Sequence, residues 1–262
     1  MKKRSSYGAL MGSNLSPIWI GIWTASASCL PITPARLRTA EITYHDTREI
    51  FENGKVNNYT GNPRALFEQQ NQKQCYEFLK EKIVCSEPLS VDLIKEIHLI
   101  LSAGTYDERR YIENEERPGE FKKHDYVTGI HGGGSAASEV EADLTELMEE
   151  ISAFEGKDVL KVAAYLHARF EYIHPFADGN GRVSRTLMNY FLMIHKHPPL
   201  IIYDEDKGLY YEYLQKYDET EDLNSLYEFL RYETEKTWMK ALELQKGVKQ
   251  QRKGLTDFTQ SM

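Results

Sequence analysis

From residue 41 onward the chain reads as a succession of amphipathic periods separated by clear breaks. Asn62-Pro63 supplies a cap and a first-turn proline, opening a predicted helix that turns Leu66, Leu79 and Ile83 inward. Ser90 opens the next, where Leu93, Ile94, Ile97 and Leu101 fall on one stripe and Gly104 acts as the stop. His98 lies within that stripe and is expected to be a packed, hydrogen-bonded core histidine. Residues 139–154 repeat the pattern through Val140, Leu144, Leu147, Met148 and Ile151. Residues 159–173 differ, being apolar on most faces (Val159, Leu160, Val162, Ala163, Leu166, Phe170, Ile173), so they form the predicted central buried helix. A further helix runs through Leu187, Tyr190, Phe191 and Ile194 until Pro198-Pro199 stops it, and two more are predicted around Tyr210–Tyr217 and Leu223–Leu242. The pattern implies an all-α protein, and no repeat of solenoid length, roughly 20 to 50 residues, recurs.

One stretch breaks the helical rhythm. Between Pro118 and Ser138, Gly119-Glu120-Phe121 and Tyr126-Val127-Thr128-Gly129-Ile130-His131 carry β-branched and aromatic residues, and Gly132-Gly133-Gly134 supplies a reversal. A short β-hairpin is expected there, just before the central helix.

The chemistry concentrates where the central helix ends. The run His174-Pro175-Phe176-Ala177-Asp178-Gly179-Asn180-Gly181-Arg182-Val183-Ser184-Arg185 holds a base, a carboxylate, a glycine-flanked turn and two guanidinium groups. A carboxylate such as Asp178 is a hard oxygen ligand suited to Mg²⁺, which binds through one or two carboxylates plus substrate phosphates. Gly179 and Gly181 let backbone N–H groups approach phosphate oxygens, and a helix starting near Gly181 would aim the positive end of its dipole at them. Arg182 and Arg185 are three apart and share a face of that helix, with forks that match phosphate. His174 titrates near neutral pH, so its neutral form can accept a hydroxyl proton.

The run resembles the signature of the Fic family, H-x-F-x-[DE]-G-N-G-R-x-x-R, with every fixed position filled. The resemblance covers roughly residues 40–240 and implies a Fic-like helical bundle that moves AMP from ATP onto a hydroxyl side chain of a protein. It makes His174 the general base, Phe176 a core anchor and Asp178 the Mg²⁺ ligand. Gly179, Asn180 and Gly181 become the anion hole, Arg182 the holder of the inner phosphates and Arg185 that of the γ-phosphate. The expected hairpin sits where Fic-like proteins carry a flap that aligns an extended stretch of the target by strand addition. Tyr210, Tyr211 and Asn224 are candidates for holding adenine by their position after the motif helix, with Tyr211 preferred and one of the two tyrosines expected in the core. Gly181 stands where phosphorylating relatives that resemble the Doc toxin carry another residue, which favours AMP transfer. Removal of AMP by the same site, with water as nucleophile, and an idle nucleotide-binding module remain as alternatives.

Many Fic-like proteins also carry an inhibitory helix with the pattern [ST]-x-x-x-E-[GN], whose glutamate pairs with the second motif arginine. Thr47-Arg48-Glu49-Ile50-Phe51-Glu52-Asn53-Gly54 matches its end at Glu52-Asn53, but Thr47 is one position too early. Glu52 is the inhibitory candidate, within a helix expected near 41–54.

Composition narrows the setting. With 262 residues and 41% hydrophobic content the chain can bury one helical core, and a net charge of −8 argues against binding a nucleic-acid backbone. Cys29, Cys75 and Cys85 are odd in number and lack C-x-x-C spacing, so neither a disulfide framework nor a zinc site is indicated and a reducing cytoplasm is the simplest setting. The apolar stretch Ile18–Trp23 after Met1-Lys2-Lys3-Arg4 has the outline of a secretion signal but is too brief for one or for a membrane span, leaving residues 1–40 as an N-terminal arm. Residues 241–262 are read as a C-terminal tail. The expected partners are ATP with Mg²⁺ and a target protein, which includes the chain itself; a homo-oligomer is compatible with all of this.

Overall fold

The computed structural model describes residues 59, 61–126, 134–154 and 158–259, the last of these in backbone alone from 244 onward. Helix α1, Pro63–Val84, starts where Asn62 accepts a hydrogen bond from the Arg64 N–H at 3.0 Å. Its second half buries Cys75, Tyr76, Leu79 and Ile83, whereas its first half buries Glu68, Gln69, Asn71 and Gln72. Helix α2, Val91–Ser102, is capped by Ser90, which accepts from the Leu93 N–H at 3.2 Å, and buries the predicted stripe of Leu93, Ile94, Ile97 and Leu101. Gly104 follows at φ 68°, and the Asn71 amide donates to the Leu101 and Ala103 carbonyls at 3.3 and 2.7 Å, satisfying the end of α2.

A π-helical turn at Arg109–Glu113 is followed by α3, Val140–Ser152, and α4, Val159–Ile173. The latter begins at an Asp158 cap to the Lys161 N–H, 3.1 Å, and coincides with the predicted central helix. Helix α5, Asn180–Ile194, is buried along nearly its whole length. It packs most extensively on α4, with α1 and α2 against α5 on one side and α3, α6 (Lys207–Thr220) and α7 (Asn224–Thr259) against α4 on the other. Burying large side chains such as Phe170, Phe176 and Tyr190 at this centre stabilises by about 1.5 to 3 kcal/mol each. The loop joining α4 to α5 is therefore delivered from the most extensively packed pair of helices among the described residues.

Two expectations require correction. Among the described residues there is no strand: 118–126 and 134–138 are turns, bends and irregular chain, and 127–133, the middle of the expected hairpin, lie outside them. On either side of 127–133 the chain is instead bonded to the region of the motif loop, with the Lys122 N–H donating to Pro175 O at 2.9 Å and the Ser135 N–H to Ile173 O at 3.3 Å. Helix α7 also runs past residue 240, so the segment read as a tail continues it as far as Thr259. The N-terminal arm and the helix expected near 41–54, with Glu49 and Glu52, lie outside the described residues. Among the described residues no helix is long and apolar enough to cross a membrane.

Candidate functional site

His174 ends α4 in the left-handed region, φ 50° and ψ 60°, with its N–H bonded to Phe170 O at 3.0 Å. A non-glycine residue there costs about 1 to 2 kcal/mol, which the packing of the next residues offsets. Phe176 is fully buried, stacked on His98 at 3.6 Å between ring centroids and 8° between planes, with Phe121 and Phe170 around it. Asn180 then clasps the loop, accepting from the Phe176 N–H at 2.9 Å and donating to Phe176 O at 2.6 Å. Gly179 caps α5 at φ 85°, and a Cβ there would sit 2.8 Å from Ser102 Oγ. The Arg182 and Val183 N–H groups both return to Gly179 O, so the helical bonds of α5 begin only after Asn180 and Gly181.

His98 fixes this loop from beneath. The Gly119 N–H can only donate, so it makes Nδ1 of His98 an acceptor at 2.9 Å and leaves the proton on Nε2, which donates to Asp178 O at 3.0 Å. Burial pushes its pKa down to about 3, keeping it neutral. The expectation of a core histidine holds, and the residue also ties α2 to the motif carbonyl.

The electrostatics distinguish a buried imidazole, a carboxylate and a buried guanidinium at this loop. Burial, with the Lys122 ammonium nearby, lowers His174 to about 4 against the opposing pull of a hydrogen bond to the Glu171 carbonyl and the charge of Asp178. Its imidazole is therefore neutral at physiological pH. Burial pushes the Asp178 carboxyl up, but Arg64, Arg182 and Arg110 outweigh it and hold the group below its ordinary value. Arg64 Nη2 lies 2.7 Å and Arg110 Nη1 3.9 Å from its Oδ2. Arg182 is buried, donates to Leu101 O at 2.7 Å and pairs with Glu68 at 3.6 Å, while its Nε and Nη2 have no hydrogen-bond partner among the described residues. Buried donors left open in this way suit an anion. An ionised hard-oxygen ligand facing such a cradle fits a small divalent cation bound together with phosphates.

Arg185 is buried beside Gly181, where a Cβ would approach its Nη1 to 3.1 Å, and near Glu171, whose carboxyl burial raises to about 6. Tyr210 is the core tyrosine, bonded to His167 at 2.8 Å, and Tyr211 is 44% exposed with its ring 5.0 Å from that of Tyr210. The Asn224 amide is engaged by Asp222 at 2.8 Å. His174, Asp178, Gly179, Asn180, Gly181, Arg182 and Arg185 thus share one loop and helix start, with Tyr211 near Arg185, although the Asn180 side chain is spent on bonds within the loop. Arg64, Glu68, Arg110 and Lys122 escaped sequence reasoning, because they lie far away in sequence and resemble ordinary surface charges. The one local signal was Arg64, a cation in the first turn of a helix, where the dipole disfavours it.

Fold and loop together define a helical protein of Fic type. Residues 88–192 match the model of the Fic/DOC family, so the chain carries a domain of that family. It is 45% identical over 78 residues to a protein adenylyltransferase Fic of Aedes aegypti, covering 30% of this chain and 15% of that one. With the protein adenylyltransferase Fic of Drosophila persimilis it shares 37% over 122 residues, 45% of this chain and 23% of the relative. The chain thus spans less than a quarter of the length of these relatives. Its fold is that of a Fic domain containing signaling protein from Bacteroides thetaiotaomicron, TM-score 0.76 at 22% identity over 93% of this chain and 95% of the other. It is also that of Fic-1 (residues 134–508) from C. elegans, TM-score 0.69 at 20% identity over 93% and 72%.

Proposed function

We propose that this protein transfers AMP from ATP to a hydroxyl side chain of a protein, in a Mg²⁺-dependent reaction within a reducing cytoplasm. The observation that carries this reading is a neutral imidazole, His174, held at the same loop as a buried guanidinium with open donors, Arg182, and an ionised carboxylate, Asp178. The relatives named protein adenylyltransferase support it. The target hydroxyl would lose its proton to the ring nitrogen of His174 that the Glu171 carbonyl does not engage. Its oxygen would then bond to the α-phosphorus of ATP as the bond to the β-phosphate breaks, releasing pyrophosphate. Arg182 and the N–H groups of Asn180 and Gly181 would steady the phosphates, Arg185 would hold the γ-phosphate, and Tyr211 would stack on adenine. Asp178 would hold Mg²⁺, which neutralises charge on the phosphates when bound.

The test is incubation with ATP labelled at the α-phosphate, together with a lysate as a source of targets. Wild type should label protein, and His174→Ala should lose about 10²- to 10⁴-fold in rate while keeping ATP affinity. Equal labelling by the two would reject His174 as the base. An idle binding module would bind ATP and label nothing, and an AMP-removing enzyme would instead strip label from a modified target.

The reading includes autoinhibition through Glu52, whose carboxylate would occupy the Arg185 donors that the γ-phosphate needs. Coupling of this kind is worth about 1 to 3 kcal/mol, so Glu52→Gly should raise labelling at least about tenfold while Glu49→Gly should not. Equal rates for wild type and Glu52→Gly at saturating Mg²⁺-ATP would remove this part alone.

A further inference from the structure

Helix α1 enters the site through two side chains that no motif assigns. Arg64 spans 114 residues of sequence to reach Asp178 Oδ2 at 2.7 Å, and its Nε bonds Glu68 Oε1 at 3.0 Å. The same Glu68 oxygen lies 3.6 Å from Arg182 Nη2. A chain of alternating charge therefore runs Asp178, Arg64, Glu68, Arg182, bridging the carboxylate and the anion cradle from outside the motif.

The placement of Arg64 is costly to the helix that carries it. It sits in the first turn of α1, directly after the Asn62 cap and Pro63, in a turn that holds no acidic residue. A cation there opposes the helix dipole. Asp178 and Glu68 compensate, so the position makes sense as part of the site rather than of the helix. The Arg64 side chain is still 31% exposed and that of Asp178 16%, so the pair is open to solvent and an incoming cation can reach it.

We propose that Arg64 is a positioning residue that serves as the internal counter-cation of Asp178, and that Mg²⁺ binds with ATP by exchange with it. The inference rests on the reading of Asp178 as the Mg²⁺ ligand. Without the metal, the guanidinium occupies Oδ2 of the carboxylate through a 2.7 Å hydrogen bond. A divalent ion on the same oxygen cannot coexist with a guanidinium 2.7 Å away, so the ion pair must open before the ligand seats. Because Arg64 stabilises only the metal-free arrangement, it weakens apparent metal affinity by the free energy of that pair. Arg110, at 3.9 Å, is beyond hydrogen-bond distance of the same oxygen.

Calorimetry of ATP binding to the full chain, once with Mg²⁺ and once with EDTA, tests this without any turnover. The ratio of the two affinities isolates the metal's contribution from the charge change that any arginine variant brings. In Arg64→Met the ratio should rise at least about threefold over wild type, as expected for loss of a partly exposed ion pair. Arg64→Gln, which retains a donor for Glu68, should show the same rise, separating Asp178 from Glu68 as the relevant partner; the melting temperatures of both verify folding. A ratio that is unchanged or lower in the two variants would overturn the exchange. A wild-type protein that binds ATP equally with and without Mg²⁺ would instead overturn Asp178 as the metal ligand, a distinguishable failure of the underlying reading.

Discussion

At the residue scale, Gly179 carries more constraint than any other position of the loop. Its φ of 85° is open to glycine and strained for alanine, and a Cβ would meet Ser102 Oγ at 2.8 Å. Ser102 Oγ is itself buried and has no hydrogen-bond partner among the described residues, so it gains nothing by staying. Gly179→Ala should therefore cost about 1 to 3 kcal/mol in denaturant unfolding. The double variant with Ser102→Ala should recover only the crowding part. Full recovery would mean that the positive φ carries no cost, and no loss in the single variant would mean that the loop is not held as described. The motif residues themselves were legible in sequence because their order is so constrained. His98, by contrast, was legible only as a core residue: its bond to the Asp178 carbonyl, 80 residues away, depends on tertiary placement that periodicity does not encode.

At the element scale, the helices that could be read were those whose burial is apolar. Helix α4 covers the expected residues 159–173, and the stripe of α2 is buried as predicted, because period and composition agree there. Helix α1 was legible at its cap and at Leu79 and Ile83, but not along its first half, where Glu68, Gln69, Asn71 and Gln72 look like a solvated face and are in fact buried. Each of Glu68, Asn71 and Gln72 has a partner: Arg64 and Arg182 for Glu68, the end of α2 for Asn71, and Thr186 of α5 for Gln72 at 3.4 Å. A polar face buried against polar partners has no signature in a single sequence, since its period is that of any exposed helix. Helix α7 continues past Leu242 to Thr259, beyond the Leu223–Leu242 stretch expected from the sequence. The hairpin expectation erred in the opposite sense: its described flanks, 118–126 and 134–138, form no strand, and the Lys122 and Ser135 N–H groups bond to Pro175 and Ile173 carbonyls instead.

At the scale of the whole molecule, the segment Leu200–Tyr203 joins the motif helix to the C-terminal pair. Asn189 of α5 exchanges two hydrogen bonds with Leu200, Thr237 of α7 accepts from the Ile201 N–H at 3.0 Å, and Glu233 of α7 accepts from the Tyr203 N–H at 3.1 Å. Glu233 is fully buried, its second oxygen has no hydrogen-bond partner among the described residues, and Asp206 lies beside it. Burial first, and then Asp206, raise its carboxyl to about 7 against the bond from Tyr203 and the charge of Lys236. A carboxyl raised in the folded state contributes stability that is complete below its unfolded value and is lost as pH rises through about 7. The buried histidines act on the acid side: His98 and His167, lowered to about 3, and His174, lowered to about 4, contribute stability that is complete above the ordinary histidine value and lost as pH falls through those values. Glu233→Gln keeps the acceptor for Tyr203, offers Asp206 an amide donor and cannot ionise. Near pH 5 the variant and wild type should melt within about 1 kcal/mol of each other, because the folded carboxyl is neutral there and only the unfolded one has begun to ionise. Toward pH 8.5 the variant should become the more stable by on the order of 1 to 3 kcal/mol, a rise of several degrees in Tm relative to wild type. A difference that stays constant from pH 5 to 8.5 would show that the Glu233 carboxyl does not titrate in this range, and that the joint between α5 and α7 is insensitive to its charge.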